Sequence, residues 1–256
     1  MLNYTNTKRI FGALLLIVIG MDVYYSIPVF IYLALYLAYS ALFFYGVFNI
    51  DANFFMVSFC SKPICDKAIA ISFDDGPGLY TLEILQILKE QGITAAFFCI
   101  GKQIKTKEHI VRQIHQQGHL IGNHSYSHHL LFDFFSSSKM LKDIQRMESV
   151  TNELIGLKPK LFRPPFGVTV PWLKTALTEG GYLSIGWNVR SLDTVTTNEN
   201  KLMKKIIHAL NPGALYLFHD TSKTTLAVLP QFIEQVAQQG YRIVRLDELL
   251  NLPAYK

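Results

Sequence analysis

The chain predicts a parallel α/β architecture, as an open sheet or a closed barrel, preceded by an apolar N-terminal segment. Three observations carry this. From position 67 onward, short apolar runs alternate with amphipathic stretches about seven times. Five motifs rich in Asp, His, Arg and Gly follow the apolar runs, at strand ends where parallel α/β proteins gather their chemistry. Between positions 10 and 50 the only formally charged side chain is Asp22.

The N-terminal segment comes first. A helix needs about 20 apolar residues to cross a bilayer. Two arrangements fit. In one, 10–21 and 27–50 form a helical hairpin, with Asp22-Val23-Tyr24-Tyr25-Ser26 near the turn and Pro28 opening the second helix. In the other, only 27–48 spans and the first segment lies in the interface or beside it. A cleaved signal peptide fits poorly, because no small-x-small site follows 10–20 and another long apolar segment does. The expectation is integral attachment to the cell membrane through residues 1–50, by one or two transmembrane helices. Lys8 and Arg9 favour a cytoplasmic N-terminus. Two spans would then leave the rest of the chain on that side and one span would export it, so the face stays open.

The stretch 51–66, with Asn, Ser, Lys, Pro, Cys60 and Cys65, reads as a linker. The buried strand 68–73 follows. Positions 80–91 predict a helix with Leu82, Leu85 and Leu88 on one face and Gly92 as its stop. Strand 94–100 closes at Gly101, helix 107–117 ends at Gly118, and 120–122 is a short strand. A long helix over 138–155 has a Ser cap and Gly156 after it. Strand 161–163, helix 171–179 before Gly180-Gly181, strand 183–187, helix 199–210, strand 214–218, helix 226–239 and strand 241–245 complete the series.

Composition narrows the function classes. The formal net charge of +5 suits a membrane surface or an acidic polymer and demands neither. No basic cluster with interleaved aromatics is present, so nucleic acid is not an expected partner. Three cysteines are too few for a disulfide scaffold. Cys60 and Cys65 are close enough to pair outside the cytoplasm and equally able to stay thiols. Nothing in the sequence speaks to oligomeric state.

The motifs carry the chemistry. His124 and His128, spaced i, i+4, would share one face of a helical turn, as a metal requires. Asp74-Asp75 follow a buried strand and precede Gly76-Pro77. Their side chains diverge, so one can ligate a metal while the other accepts a proton from attacking water; an Asp-rich turn is the structural alternative. Two His and one carboxylate leave open positions on the metal. Arg163, held among Pro164, Pro165 and Phe166, can orient a base carboxylate, or the loop can be purely structural. His219 ends a strand and suits protonation of an amine leaving group; alone, a structural role is equally consistent. Asp193 can tune either His219 or Arg163. His129 points away on helical geometry. His109, His115, His119 and His208 read as surface or structural residues.

These residues resemble the polysaccharide deacetylase family of the NodB-homology type, carbohydrate esterase family 4. The resemblance covers roughly residues 67–250. It rests on Asp74-Asp75-Gly76-Pro77, His124-Ser125-Tyr126-Ser127-His128, Arg163-Pro164-Pro165-Phe166 and Leu217-Phe218-His219. It implies a distorted (β/α)7 barrel and a catalytic domain over 67–256. Asp74 would be the base, and Asp75, His124 and His128 the ligands of a divalent metal, zinc first, with cobalt, manganese or nickel as alternatives. Phe166 would offer its backbone N–H to the oxyanion, His219 would be the acid, and Arg163 would orient Asp74. Pro165, Trp187, Arg190 and Leu217 would complete the substrate site. Where the family often shows Asp-x-x-Asp-Trp, this chain has Arg190-Ser191-Leu192-Asp193-Thr194. Trp187 or Trp172 would then replace the missing indole, and Arg190 would pair with Asp193 or bind an anionic group on substrate.

The resulting expectation is a membrane-anchored, metal-dependent hydrolase. It removes N-acetyl groups from glycans containing N-acetylglucosamine. An O-acetyl esterase using the same site is the alternative enzyme. A carbohydrate-binding protein with a degenerate site is the third reading, weakened because binding alone does not require Asp74 and His219 together.

Overall fold

The computed structural model describes residues 3–256. Two antiparallel helices open the chain: α1 (Tyr4–Tyr25), N-capped by the Asn3 side chain, and α2 (Val29–Phe48). Ser26, in the left-handed region at φ 48°, and Pro28 make the turn between them. Asp22 closes that turn by accepting from Ile27 N–H and, at 3.0 Å, from the Tyr32 hydroxyl. Of the two arrangements left open by the sequence, the chain shows paired helices, the first longer than expected at Tyr4–Tyr25. Among the described residues, Val29–Phe48 is the helix long and apolar enough to cross a bilayer, about 30 Å at 1.5 Å per residue.

Strand β1 (Ser58–Phe59) comes next, inside the stretch expected as a linker. There follow β2 (Ala68–Gly76), α3 (Thr81–Glu90), β3 (Ala96–Cys99), α4 (Gly101–Thr106), α5 (Glu108–Gln116) and β4 (Leu120–Asn123). Helix α6 (Ser137–Ile155), capped by Ser136 and stopped by Gly156 at φ 73°, leads to β5 (Leu161–Phe162). Then come α7 (Pro171–Gly180), β6 (Leu183–Ile185), β7 (Val189–Arg190), α8 (Glu199–His208), β8 (Leu215–His219), α9 (Lys223–Gln238), β9 (Arg242–Ile243) and α10 (Leu246–Leu250).

All pairings between these strands are parallel, in the order β1-β6-β5-β4-β3-β2-β8-β7, with β9 beside the start of β2. The sheet curls, but its ladder stays open between β1 and β7, so the expected closed (β/α)7 barrel is realised as an open, curled half-barrel. One chain segment links the two ends: β6 pairs with β5, and after three intervening residues β7 pairs with β8. The outer face packs Ile69, Ile71, Phe73, Phe97, Tyr216 and Phe218 against the helices. The inner face is floored by Ala68, Ala70, Ala96, Leu215 and the α10 leucines. Those small inner residues leave room for the Phe98 ring and, 4.0 Å above it, the Arg163 guanidinium.

The helical hairpin docks on this body. Thr169 donates through Oγ1 to Gly46 O (2.9 Å) and through its N–H to Val47 O (3.1 Å). Tyr4 N–H donates to Phe54 O, and the rings of Tyr4, Phe43, Phe54 and Phe55 interlock. Gly46 permits the approach, since a Cβ there would collide with the Phe54 ring. Cys60, buried, and Cys65, exposed, are both free thiols.

Candidate active site

The C-terminal ends of β2, β4, β5, β7 and β8, with the loops that follow them, build the site. In β2 the register shifts between Asp74 and Gly76, and Asp75 takes φ 68°. A regular strand would send neighbouring side chains to opposite faces. The bulge re-aims Asp75, so both carboxylates reach the same imidazole: His124 Nε2 lies 3.9 Å from Asp74 Oδ2 and 3.5 Å from Asp75 Oδ1. Gly76 and Gly78 let the loop fold over Asp220, whose carboxylate a Cβ at either position would strike.

His124 and His128 meet differently from expectation. They lie on an irregular loop rather than a helical turn, with Ser125 at φ 64° and His128 at φ 43°. Their ring centroids are 4.9 Å apart. The loop is held by its own polar groups: Ser125 N–H donates to Asn123 Oδ1, His128 N–H to Ser125 Oγ, and Tyr126 and Ser127 N–H to Asp143 Oδ1. Nδ1 of His124 bonds Arg163 O at 2.8 Å, which directs Nε2 to Asp75. His129 turns elsewhere, its ring 5.3 Å from that of Phe135.

Asp75, His124 and His128 form a donor set whose ligand atoms lie within 4.8 Å of one another. Asp75 Oδ1 is buried without a hydrogen bond, 3.5 and 3.3 Å from the two Nε2 atoms. A buried acceptor left without a donor is costly. Two imidazoles and a carboxylate converging on it suit zinc and its first-row neighbours, so these residues fit a divalent cation. Burial disfavours the charged form of Asp75, but the nearby imidazole of His124, then the charges of His128 and His219, bring its pKa down to about 2.

Arg163 is fully buried. Its Nη1 donates to Asp74 Oδ1 and Ser72 Oγ, both at 2.7 Å, Nη2 to Gly186 O and Nε to Ile185 O. The guanidinium therefore fixes Asp74 and closes the core beneath it. On the other flank His219 Nδ1 bonds Asp193 Oδ1 at 2.8 Å, and His219 N–H donates to Asp193 Oδ2 at 2.8 Å. Ser191 and Thr225 hydroxyls donate to the same carboxylate. Burial opposes the imidazolium, yet the Asp193 bond and charge, then those of Asp74 and Asp75, raise the His219 pKa above the ordinary histidine value. Asp193 therefore addresses His219, not Arg163. Its acceptor capacity is filled without Arg190, which rules out the expected Arg190–Asp193 ion pair as a structural explanation for Arg190.

Arg190 is exposed at the mouth, 5.8 Å from the Trp187 ring. Its register partner is Leu217, buried on the inner face of β8 two residues before His219. Trp187 packs over Gly167, where no Cβ would fit, and so walls the loop Pro165-Phe166-Gly167. Trp172, at the start of α7, instead donates to Asp133 O in the loop after His128. Phe166 takes φ 58° and Gly167 φ 72°, and the Phe166 ring lies 4.8 Å from that of His128. Left-handed non-glycine residues are uncommon and costly. Asp75, Ser125, His128, Phe166 and Leu192 all adopt that conformation within these loops.

Sequence reasoning gave no role to Ser72, Asp143, Thr225 or Asp220. Asp220 is fully buried, accepts from Thr81 Oγ1 and Gly78 N–H, and is pushed up to about 7 by burial. Its place directly after His219 was the one available signal.

Taken together, a carboxylate fixed by arginine and an imidazole fixed by carboxylate flank one metal-ligand cluster. That arrangement can deprotonate water on one side of an acyl carbon and protonate a leaving group on the other. The sequence profile of the polysaccharide deacetylase family matches residues 61–184. A peptidoglycan-N-acetylglucosamine deacetylase of Bacillus cereus is 30% identical over 196 residues, covering 75% of this chain and 71% of the relative. The peptidoglycan-N-acetylmuramic acid deacetylase PdaA of Bacillus subtilis is 30% identical over 194 residues, 72% of each. The solved structure of the Bc1960 peptidoglycan N-acetylglucosamine deacetylase superposes with a TM-score of 0.73 at 30% identity, covering 77% of this chain and 94% of that one.

Proposed function

The chain belongs to the polysaccharide deacetylase family, and from that premise we propose that it is a membrane-anchored, metal-dependent carbohydrate N-deacetylase acting on a peptidoglycan-type glycan. The observation that carries this reading is the pair of buried ion pairs, Arg163–Asp74 and His219–Asp193, on either side of Asp75, His124 and His128.

Asp75, His124 and His128 hold the cation, most naturally zinc. When bound it supplies Lewis-acid activation of the attacking water and of the acetyl carbonyl. Asp74, oriented by Arg163, takes the proton of the water. The backbone N–H of Phe166 serves the oxyanion, with Pro165, Trp187 and Leu217 shaping the acetyl pocket. His219, protonated and oriented through Nδ1 by Asp193, delivers a proton from Nε2 to the departing amine. Residues 67–256 are the catalytic domain, and the α1–α2 hairpin is the anchor, which raises the local concentration of a surface-held substrate.

Arg190 favours an acidic sugar. Among the described residues it has no carboxylate partner, and Trp187 backs its guanidinium. A carboxylate such as that of N-acetylmuramic acid, the sugar in the name of the Bacillus subtilis relative, would be its match.

The test is acetate release by the full chain in detergent. N-acetylglucosamine oligomers, muramic acid-containing glycans and O-acetylated sugars are compared before and after chelation and zinc re-addition. Metal-restored release from N-acetyl substrates is expected. Release only from O-acetyl sugars would make it an esterase, and no release despite bound metal would sink the deacetylase reading.

A further inference from the structure

We infer that the apolar tip of the loop after His128, presenting Leu130, Leu131 and Phe134, docks into the bilayer surface beside the N-terminal hairpin, so that the mouth of the site lies at the lipid headgroups. The inference rests on the reading of Val29–Phe48 as a membrane span.

Leu130 and Phe134 are each 81% exposed and Leu131 55%. Three large apolar side chains within five residues form a patch that water alone does not favour. Their backbone is already satisfied: Phe132 N–H donates to His129 O, Phe134 N–H to Leu131 O and Phe135 N–H to Phe132 O. Such a turn enters a low-dielectric interface without leaving these donors unpaired. The single charged group of the tip, Asp133, is half-buried, and burial raises its pKa to about 6.

Continuity with α2 identifies lipid as the cover. Phe132 belongs to one apolar cluster with Val47 of α2 and Val170 and Leu173 at the start of α7, and Phe43, Phe135 and Trp172 pack against it. Trp172 ties α7 to the tip through Asp133 O, and Thr169 ties the residues before α7 to Gly46 and Val47. Tip, α7 and the end of α2 are therefore one packed block. On that block Phe44, Tyr45 and Phe48 of α2 are also exposed, so a bilayer covering α2 ends beside the tip. The tip also borders the site, because His128 opens the loop and its ring meets Phe166. A site so placed takes an acetylated glycan held at the membrane in preference to one free in solution.

The experiment reconstitutes the full chain in phosphatidylethanolamine and phosphatidylglycerol vesicles, with or without bromines on the acyl chains near the headgroup. A nitrobenzoxadiazole fluorophore is attached in turn to Phe44→Cys and Phe134→Cys in a Cys65→Ser background, since Cys60 and Cys99 are buried. Both labels should lose intensity in the brominated vesicles. Loss at position 44 with none at position 134 overturns the docking inference and leaves the span intact. Loss at neither overturns the span as well.

Discussion

Replacing Asp193 with Asn separates the orientation of His219 from its presence. The carboxylate receives four donors: His219 Nδ1–H and Ser191 Oγ at Oδ1, His219 N–H and Thr225 Oγ1 at Oδ2. An asparagine offers one oxygen and places an NH2 group against the remaining donors, whichever way it turns. If the NH2 faces His219, Nδ1 must become an acceptor and the proton of the neutral ring moves to Nε2. Losing one hydrogen bond to a charged group costs about 1.5–3 kcal/mol. If that loss falls on the transition state, kcat drops between about tenfold and about 150-fold. The pH profile supplies the sharper readout. Asp193 raises the His219 pKa, so activity that needs protonated His219 is lost as pH rises through that raised value. In Asp193→Asn the pKa falls, and the same loss begins at lower pH. Acetate release as a function of pH, with a thermal unfolding control, measures both effects. A variant with near-normal kcat and an unmoved alkaline limb would refute this account of the Asp193–His219 pair.

Three further outcomes are expected. Asp74→Asn should abolish turnover while equilibrium dialysis still finds bound zinc; loss of the metal would mean that base and ligand are exchanged between Asp74 and Asp75. His128→Ala should weaken metal uptake by at least about tenfold, in line with the loss of a first ligand, whereas His129→Ala should leave it unchanged, because His129 packs on Phe135. Arg190→Ala should raise KM for acidic glycans more than for neutral ones; equal effects on both would remove the anion-binding role.

Local periodicity made most of the fold legible. The cap at Ser136 and the stop at Gly156 bound α6 within two residues of the expected helix, because capping is a property of the nearest few side chains. Strand β7, only Val189–Arg190, escaped notice because so short a run has no period to read. It forms because the chain leaves β5 and finds β8. Likewise β1 joins the sheet within a stretch that looks like a connector, held by its register with β6 rather than by its own composition. Helix α10 packs under the inner face for the same long-range reason.

By itself, the sequence determined the parallel α/β alternation, the apolar N-terminal segment and the identity of the chemical groups, since alternation, apolar length and side-chain type are written locally. Tertiary structure alone decided how those groups meet. Adjacent aspartates face one imidazole because a bulge with positive φ re-aims Asp75. His124 and His128 converge through a loop braced by Asn123, Ser125 and Asp143, not through helical spacing. Asp193 selects His219 and leaves Arg190 unpaired, a choice set by contacts between residues far apart in sequence.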